Sequence, residues 1–253
     1  MHDSLLKHKI FTFTFLFLVL LCAYSNTFDA SWHMDDRPNI LNNYYLHIDN
    51  LRPLTLINTF YTDTHNPAKL KKKMYRPVAC LSFALNWYVH NDNVFGYHVI
   101  NLAVHILTAF FLFLSVTNLF RTPNLKYLNA NVYWVALLSA LLWALHPIQT
   151  QAVTYIVQRM AAMAAMFYIM GMWAYLNARL SGSAWRTVIW FLLCLVFYIL
   201  GMNSKPNAVM LPAVLVLLEI LFFQDLNDSR TLKRIFLFLG AGAGLTFILS
   251  TFI

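Results

Sequence analysis

Glutamate is almost missing from this chain. Its 253 residues include ten acidic side chains, and only Glu219 is a glutamate. Charged residues of every kind make up 11%, where an average soluble domain carries about 25%, so too few are present to solvate a globular surface. The three cysteines, Cys22, Cys80 and Cys194, form no CxxC pair. That excludes a disulfide framework and a cysteine zinc site. No P-loop, no GxGxxG and no nucleophile motif occurs, so a soluble nucleotide has no visible cradle. The shortage of acid leaves a net charge of +8. In so apolar a chain the excess sets membrane topology and does not point to nucleic acid.

What is present is apolar length: 60% of the residues are hydrophobic. About 20 apolar residues cross a bilayer as a helix. The pattern predicts an all-α polytopic membrane protein, one domain over 1–253, with about seven transmembrane helices. The predicted spans are Ile10–Asn26, Tyr97–Asn118, Val132–Leu145, Ala152–Leu176, Thr187–Met202, Ala208–Phe223 and Ile235–Ile253. Lys7 and Lys9 precede the first, which reads as an uncleaved anchor, and a large loop over 27–96 follows it. A cytoplasmic N-terminus places Lys7, Lys9, Arg121, Lys126, Arg179, Arg186, Arg230, Lys233 and Arg234 inside, as the positive-inside rule requires. The same topology gathers Asp35, Asp36, Arg76, His98, Asn101, His146, Gln158, Arg159 and Lys205 at the outer face. One-sided clustering of ionisable groups near membrane level marks a site; helix capping is the plainer alternative for each residue.

In "ASWHMDDRPNILNN", Asp35 and Asp36 are adjacent. On a helix, neighbours i and i+1 point apart, so the two suit different roles, one of them a general base. The competing reading is a helix cap before Pro38. Arg76 opens an amphipathic or re-entrant stretch after a run of lysines (Lys69, Lys71, Lys72, Lys73) that faces solvent or headgroups. Its guanidinium suits bidentate phosphate binding, or snorkelling at the interface. His98, Asn101 and His105, at i, i+3 and i+7, share one face of the second span. They lack the i, i+4 spacing and carboxylate of a metal motif, so interhelical hydrogen bonding is predicted. His146-Pro147 interrupts the next run, placing Gln158 and Arg159 two to three turns inside the following helix. Met160, Met163, Met166 and Met170 recur at packing spacing. Lys205 precedes Pro206 in a turn and could hold an anion. Gly240 and Gly244 form a weak packing motif in the last span. No metal site is predicted, though a divalent metal is not excluded by composition.

Four blocks in order carry a resemblance: "MDDRPNILNN", "YRPVACLSFALNWYVHNDNVFGYHVINLAVH", "ALHPIQTQAVTYIVQRMAAMAAMFY" and "NSKPNAVMLP". Together they resemble the N-terminal catalytic half of the transmembrane and tetratricopeptide-repeat (TMTC-like) O-mannosyltransferases and their bacterial relatives. The resemblance implies a GT-C-like fold and a membrane glycosyltransferase. The enzyme would take a hexose, mannose first, from a polyprenyl-phosphate donor to a protein or glycan hydroxyl on the outer or lumenal face, with inversion. Asp35, then Asp36, takes the role of base. Arg76, His98, His146, Gln158, Arg159 and Lys205 would bind donor phosphate or substrate. Membrane lipids would surround the chain, and either a partner chain or C-terminal tetratricopeptide repeats would complete it. Two departures each remove a carboxylate. The family usually reads Thr-Glu-Ala-Val where this chain has Thr150-Gln151-Ala152-Val153, and Lys-Glu-Asn-Ala where it has Lys205-Pro206-Asn207-Ala208. They leave a second reading open, a non-catalytic lipid-binding or partner subunit.

Overall fold

The computed structural model describes residues 2–62, 74–225 and 228. It is an all-α membrane protein. Helix α1 (His2–Ala23) leads into a segment of short turns: 3-10 turns at Ser25–Asp29 and Tyr44–Leu46, and a single π turn at Arg37–Leu41. Helix α2 (Pro53–Asn58) precedes strand β1 (Tyr61–Thr62), which pairs antiparallel with β2 (Met74–Tyr75). The remaining helices are α3 (Pro77–His90), α4 (Val94–Leu119), α5 (Val132–Ala144), α6 (Gln149–Thr154), α7 (Arg159–Leu180), α8 (Ala184–Met202) and α9 (Leu211–Phe223). A 3-10 turn at Ile156–Gln158 joins α6 to α7, and another at Pro206–Met210 leads into α9. Among the described residues four stretches are long and apolar enough to cross a membrane: Val94–Leu119, Ile156–Leu180, Ala184–Met202 and Pro206–Phe223. The apolar part of α1, His8–Ala23, and α5 are shorter. At 13 residues, α5 is about 20 Å long, short of a hydrocarbon core of about 30 Å. The expected span at Ile235–Ile253, with Gly240 and Gly244, lies outside the described residues, as do Lys69 to Lys73.

Helices α7 and α4 form the spine. Helix α7 packs on α8 and α4, and α4 packs on α5 and α1. Leu16, Leu20, Leu102, Ile106, Ala109, Phe113, Ala136 and Ala140 fill the space among α1, α4 and α5. Small alanines let the backbones approach, as membrane helix pairs require. The lipid-facing side is as apolar as the interior: Val188, Phe191, Leu192, Leu195 and Ile199 of α8 are all exposed.

The bundle has two chemically different ends. At the loop end, Tyr24 Oη donates to the Ala144 carbonyl at 2.8 Å and the Val78 amide donates to the Asn203 carbonyl at 3.1 Å. At the far end, Asn124 Nδ2 donates to the Leu221 carbonyl at 2.9 Å. There too Arg179 grips Glu219 with Nε at 2.7 Å from Oε2 and Nη2 at 2.8 Å from Oε1. Tyr175 and Gln224 also donate to that carboxylate. The lone glutamate therefore ties α9 to α7.

One expectation about the helices is corrected. The fourth predicted span, Ala152–Leu176, is not continuous from its start, and Arg159 is not two to three turns inside a helix. Tyr155 is extended (φ −82°, ψ 109°) and ends α6. The Val157 amide donates to the Asp36 carboxylate, so it closes no helical bond. Arg159 becomes the first residue of α7.

Candidate functional site

The adjacent aspartates part company. Asp36 is fully buried: its Oδ2 accepts the His33 amide at 2.9 Å and its Oδ1 accepts the Val157 amide at 2.7 Å. Burial pushes its carboxyl above the ordinary range, against those two amides and the nearby His33 and His98, which act to lower it. Asp35 is exposed. Its amide donates to Tyr155 Oη at 2.9 Å, and its carbonyl accepts Asn39 Nδ2 at 2.8 Å. Just before the pair, Met34 holds a φ of 31°, a left-handed conformation costly for a side chain like methionine. The strained turn, the buried Asp36 and the break after α6 together fix the main chain that carries Asp35. Of the two, only Asp35 offers a carboxylate to solvent.

Two cations, Arg76 and Lys205, lie within electrostatic reach of each other. Arg76 lies in the backbone entry to α3, and its Nη1 contacts Met160 Sδ at 3.0 Å. Lys205 is half-buried in the turn that starts at Pro206. Burial lowers the lysine's pKa, and the positive charge of Arg76 lowers it further. Glycine lets α8 pack closely against the turn that follows Lys205: a Cβ on Gly201 would lie 3.0 Å from Ala208 Cβ and 3.5 Å from Phe167 Cβ. Residues 155 to 160 run along both features. Tyr155 and Val157 touch the aspartates and Met160 touches Arg76, a separation on the order of 10 Å for five residues of this backbone.

Beside Lys205, a groove of about 360 Å³ is lined by Trp143, Ala161, Ala165, Tyr168, Asn207 and Ala208, among others. Its wall is almost wholly apolar, with the Asn207 amide near the lysine turn.

The other predicted residues are placed differently. Arg159 is fully buried and occupied by protein: Nε donates to Asn101 Oδ1 at 2.6 Å, Nη1 to Asn86 Oδ1 at 2.5 Å and to the Ser82 carbonyl at 3.3 Å, and Nη2 to the Tyr97 carbonyl at 2.9 Å. Its guanidinium also lies 4.6 Å from the Phe83 ring centre. A direct contact with donor phosphate does not fit this geometry. Arg159 instead staples α3, α4 and α7. His98 is also buried, and its Nε2 donates to the Ala30 carbonyl at 2.9 Å, tying the loop to α4. His105 Nε2 donates to the Ala144 carbonyl at 2.9 Å. On the face of His98, Asn101 and His105, Asn101 and His105 make the interhelical bonds their spacing predicted, to α6 and α5, while His98 bonds to the loop. His146 is exposed in the turn after α5, its Nδ1 accepting the Ile148 amide at 3.3 Å. Gln158 is half-buried at the start of α7. Neither is brought onto the aspartates by any described hydrogen bond. Sequence reasoning missed Tyr155, Met160 and Asn86. Only Tyr155 left a trace, as a polar group just before the Gln-Arg pair.

The chain is 30% identical over 223 residues to the human "Protein O-mannosyl-transferase TMTC2", a match over 85% of this chain and 25% of that protein. Mouse TMTC3 is 27% identical over 192 residues, 76% of this chain and 19% of the relative. Human TMTC4 is 23% identical over 231 residues, 86% and 30% respectively. The chain thus spans about a quarter of the length of the curated relatives it matches. No protein-family model and no solved structure matches it. Across most of its own length, the chain resembles the TMTC-type protein O-mannosyl-transferases.

Proposed function

We propose that this chain forms the catalytic membrane region of a GT-C-type glycosyltransferase. It transfers a hexose, mannose by its relatives' printed names, from a polyprenyl-phosphate donor to a protein hydroxyl. The observation that carries the reading is one exposed carboxylate, Asp35, held at Tyr155, with Arg76 against Met160 five residues along the same segment and Lys205 within electrostatic reach of Arg76. Asp35 takes the proton of the acceptor hydroxyl. The hydroxyl oxygen bonds to the anomeric carbon as the bond from that carbon to the phosphate oxygen breaks, which inverts configuration. The leaving phosphate carries its charge away between Arg76 and Lys205, the kind of electrostatic help that dominates such barriers. The alanine-lined groove suits the donor's hydrocarbon chain. Asp36 and Arg159 hold the scaffold. No metal enters the scheme. With the N-terminus cytoplasmic, the site faces the outer or lumenal side of an inner membrane or the endoplasmic reticulum.

The replacement of family carboxylates by Gln151 and Pro206 favours the second reading, donor binding without transfer. Both are tested by supplying membranes containing the chain with radiolabelled polyprenyl-phosphate mannose. Transfer to protein that is abolished in Asp35→Asn is the expected result. Turnover unchanged in that variant would falsify the base assignment. Donor retention without any transfer would favour the non-catalytic subunit.

A further inference from the structure

The break between α6 and α7 holds the aspartate pair from the opposite side. Tyr155 Oη accepts the Asp35 amide at 2.9 Å, and two residues later the Val157 amide donates to Asp36 Oδ1 at 2.7 Å. Consecutive aspartates are gripped by alternate residues, Tyr155 and Val157, of the link between α6 and α7. The Tyr155 ring is half-buried and packs against the buried cluster that includes Ile40, Phe83 and Ile156. A phenylalanine would serve that packing equally well, so the hydroxyl needs a separate reason. A hydroxyl that accepts from an amide still has its own proton to give. Burial and the negative charges of Asp35 and Asp36 raise the phenol's pKa, with the Asp35 amide opposing. Tyr155 therefore stays protonated and remains a donor at neutral pH.

We propose that Tyr155 is the positioning residue for Asp35: its hydroxyl accepts the Asp35 amide and so fixes the main chain from which the exposed carboxylate reaches the acceptor hydroxyl. The inference rests on the reading of Asp35 as the base. Tyr155 loses no proton and touches neither reacting atom. It acts by fixing the backbone from which the exposed carboxylate projects, and misplacement of a reacting group by about 1 Å can cost about 100-fold in rate.

The test uses the chain in its membrane with polyprenyl-phosphate mannose as donor, and compares Tyr155→Phe, Asp35→Asn and the double variant. Tyr155→Phe should lower kcat about 10- to 100-fold with the donor KM unchanged. Adding it to Asp35→Asn should cost nothing more, because a residue acting through Asp35 has nothing left to position. Amide hydrogen exchange supplies a readout independent of turnover: Tyr155→Phe should speed exchange at Asp35 while the segments of α4 and α7 keep wild-type protection. Wild-type kcat in Tyr155→Phe, alongside an inactive Asp35→Asn, would overturn the positioning role and leave the base assignment standing. Full activity in Asp35→Asn would remove the base assignment and this inference with it. Unchanged exchange at Asp35 would show that the hydroxyl does not hold the segment, and would overturn the proposal whatever the activity.

Discussion

At the scale of single residues, the buried Asp36 is the most sensitive point. Its folded pKa lies above the ordinary value of about 3.9, so the native state holds a proton that the unfolded chain gives up more easily. The stabilisation this carries is present in full below about pH 4 and declines as pH rises through the raised value. Asp36→Asn cannot titrate. Its amide nitrogen would also meet one of the two N–H donors that the carboxylate now accepts. We expect the variant to melt lower at every pH. The gap from wild type should narrow as pH is raised from about 4 toward 7, read as detergent melting temperatures at each pH. A gap that widens with pH would contradict the sign of the shift. Arg159 is a second such point. Arg159→Lys keeps the charge but cannot reproduce four donations to acceptors on two other helices. It should destabilise by about 3 kcal/mol, measured by thermal or denaturant unfolding in detergent.

Between elements, the close approach at Gly201 decides where Lys205 sits. Gly201→Val must push α8 away from the turn at 206–210, an overpacking cost of about 1–3 kcal/mol. Its functional signature should be a raised donor KM, since the lysine moves relative to Arg76. An unchanged KM would separate the lysine from the donor. The elements also show what sequence alone could reveal. The helical runs follow from apolar length, and the hydrogen-bonding face of α4 follows from spacing. The split of the aspartates was half legible: adjacency says that they diverge, but not which one is buried. The break at Tyr155 left no signal, because "VTYIVQRM" is as apolar as a continuous helix. The amide that leaves the helix answers a carboxylate 121 residues earlier. Arg159 could be recognised as unusual at membrane depth, yet its acceptors lie 58 to 77 residues upstream. Only the packed fold shows that they are already satisfied by it. Glu219 was read only as a count, and its partner Arg179 lies 40 residues away.

Across the whole molecule, the two ends differ in kind. The loop end carries the aspartates, Arg76 and Lys205. The far end carries the Arg179–Glu219 pair and the turns around Arg121 and Arg186. The proposed orientation makes a direct prediction for cysteines introduced into a variant without Cys22, Cys80 and Cys194. Asp92→Cys, before α4, should react with an impermeant maleimide from the outer or lumenal side. Arg121→Cys, after α4, should react only from the cytoplasm. Labelling in the opposite sense would invert the topology and move the site to the cytoplasmic face.

The Arg159 staple also bears on the order of synthesis. Domains and their parts form from the N-terminus as the chain emerges, and a lone arginine entering lipid is costly. Ser82, Asn86, Tyr97 and Asn101, which accept its protons, all leave the ribosome before it. So does Asp36, which is waiting for the Val157 amide. When the segment 155–159 arrives, every partner that it needs has already been made. The segment that locks the aspartates and α3 and α4 in place is translated after all of them, with the Lys205 turn of the site still to come.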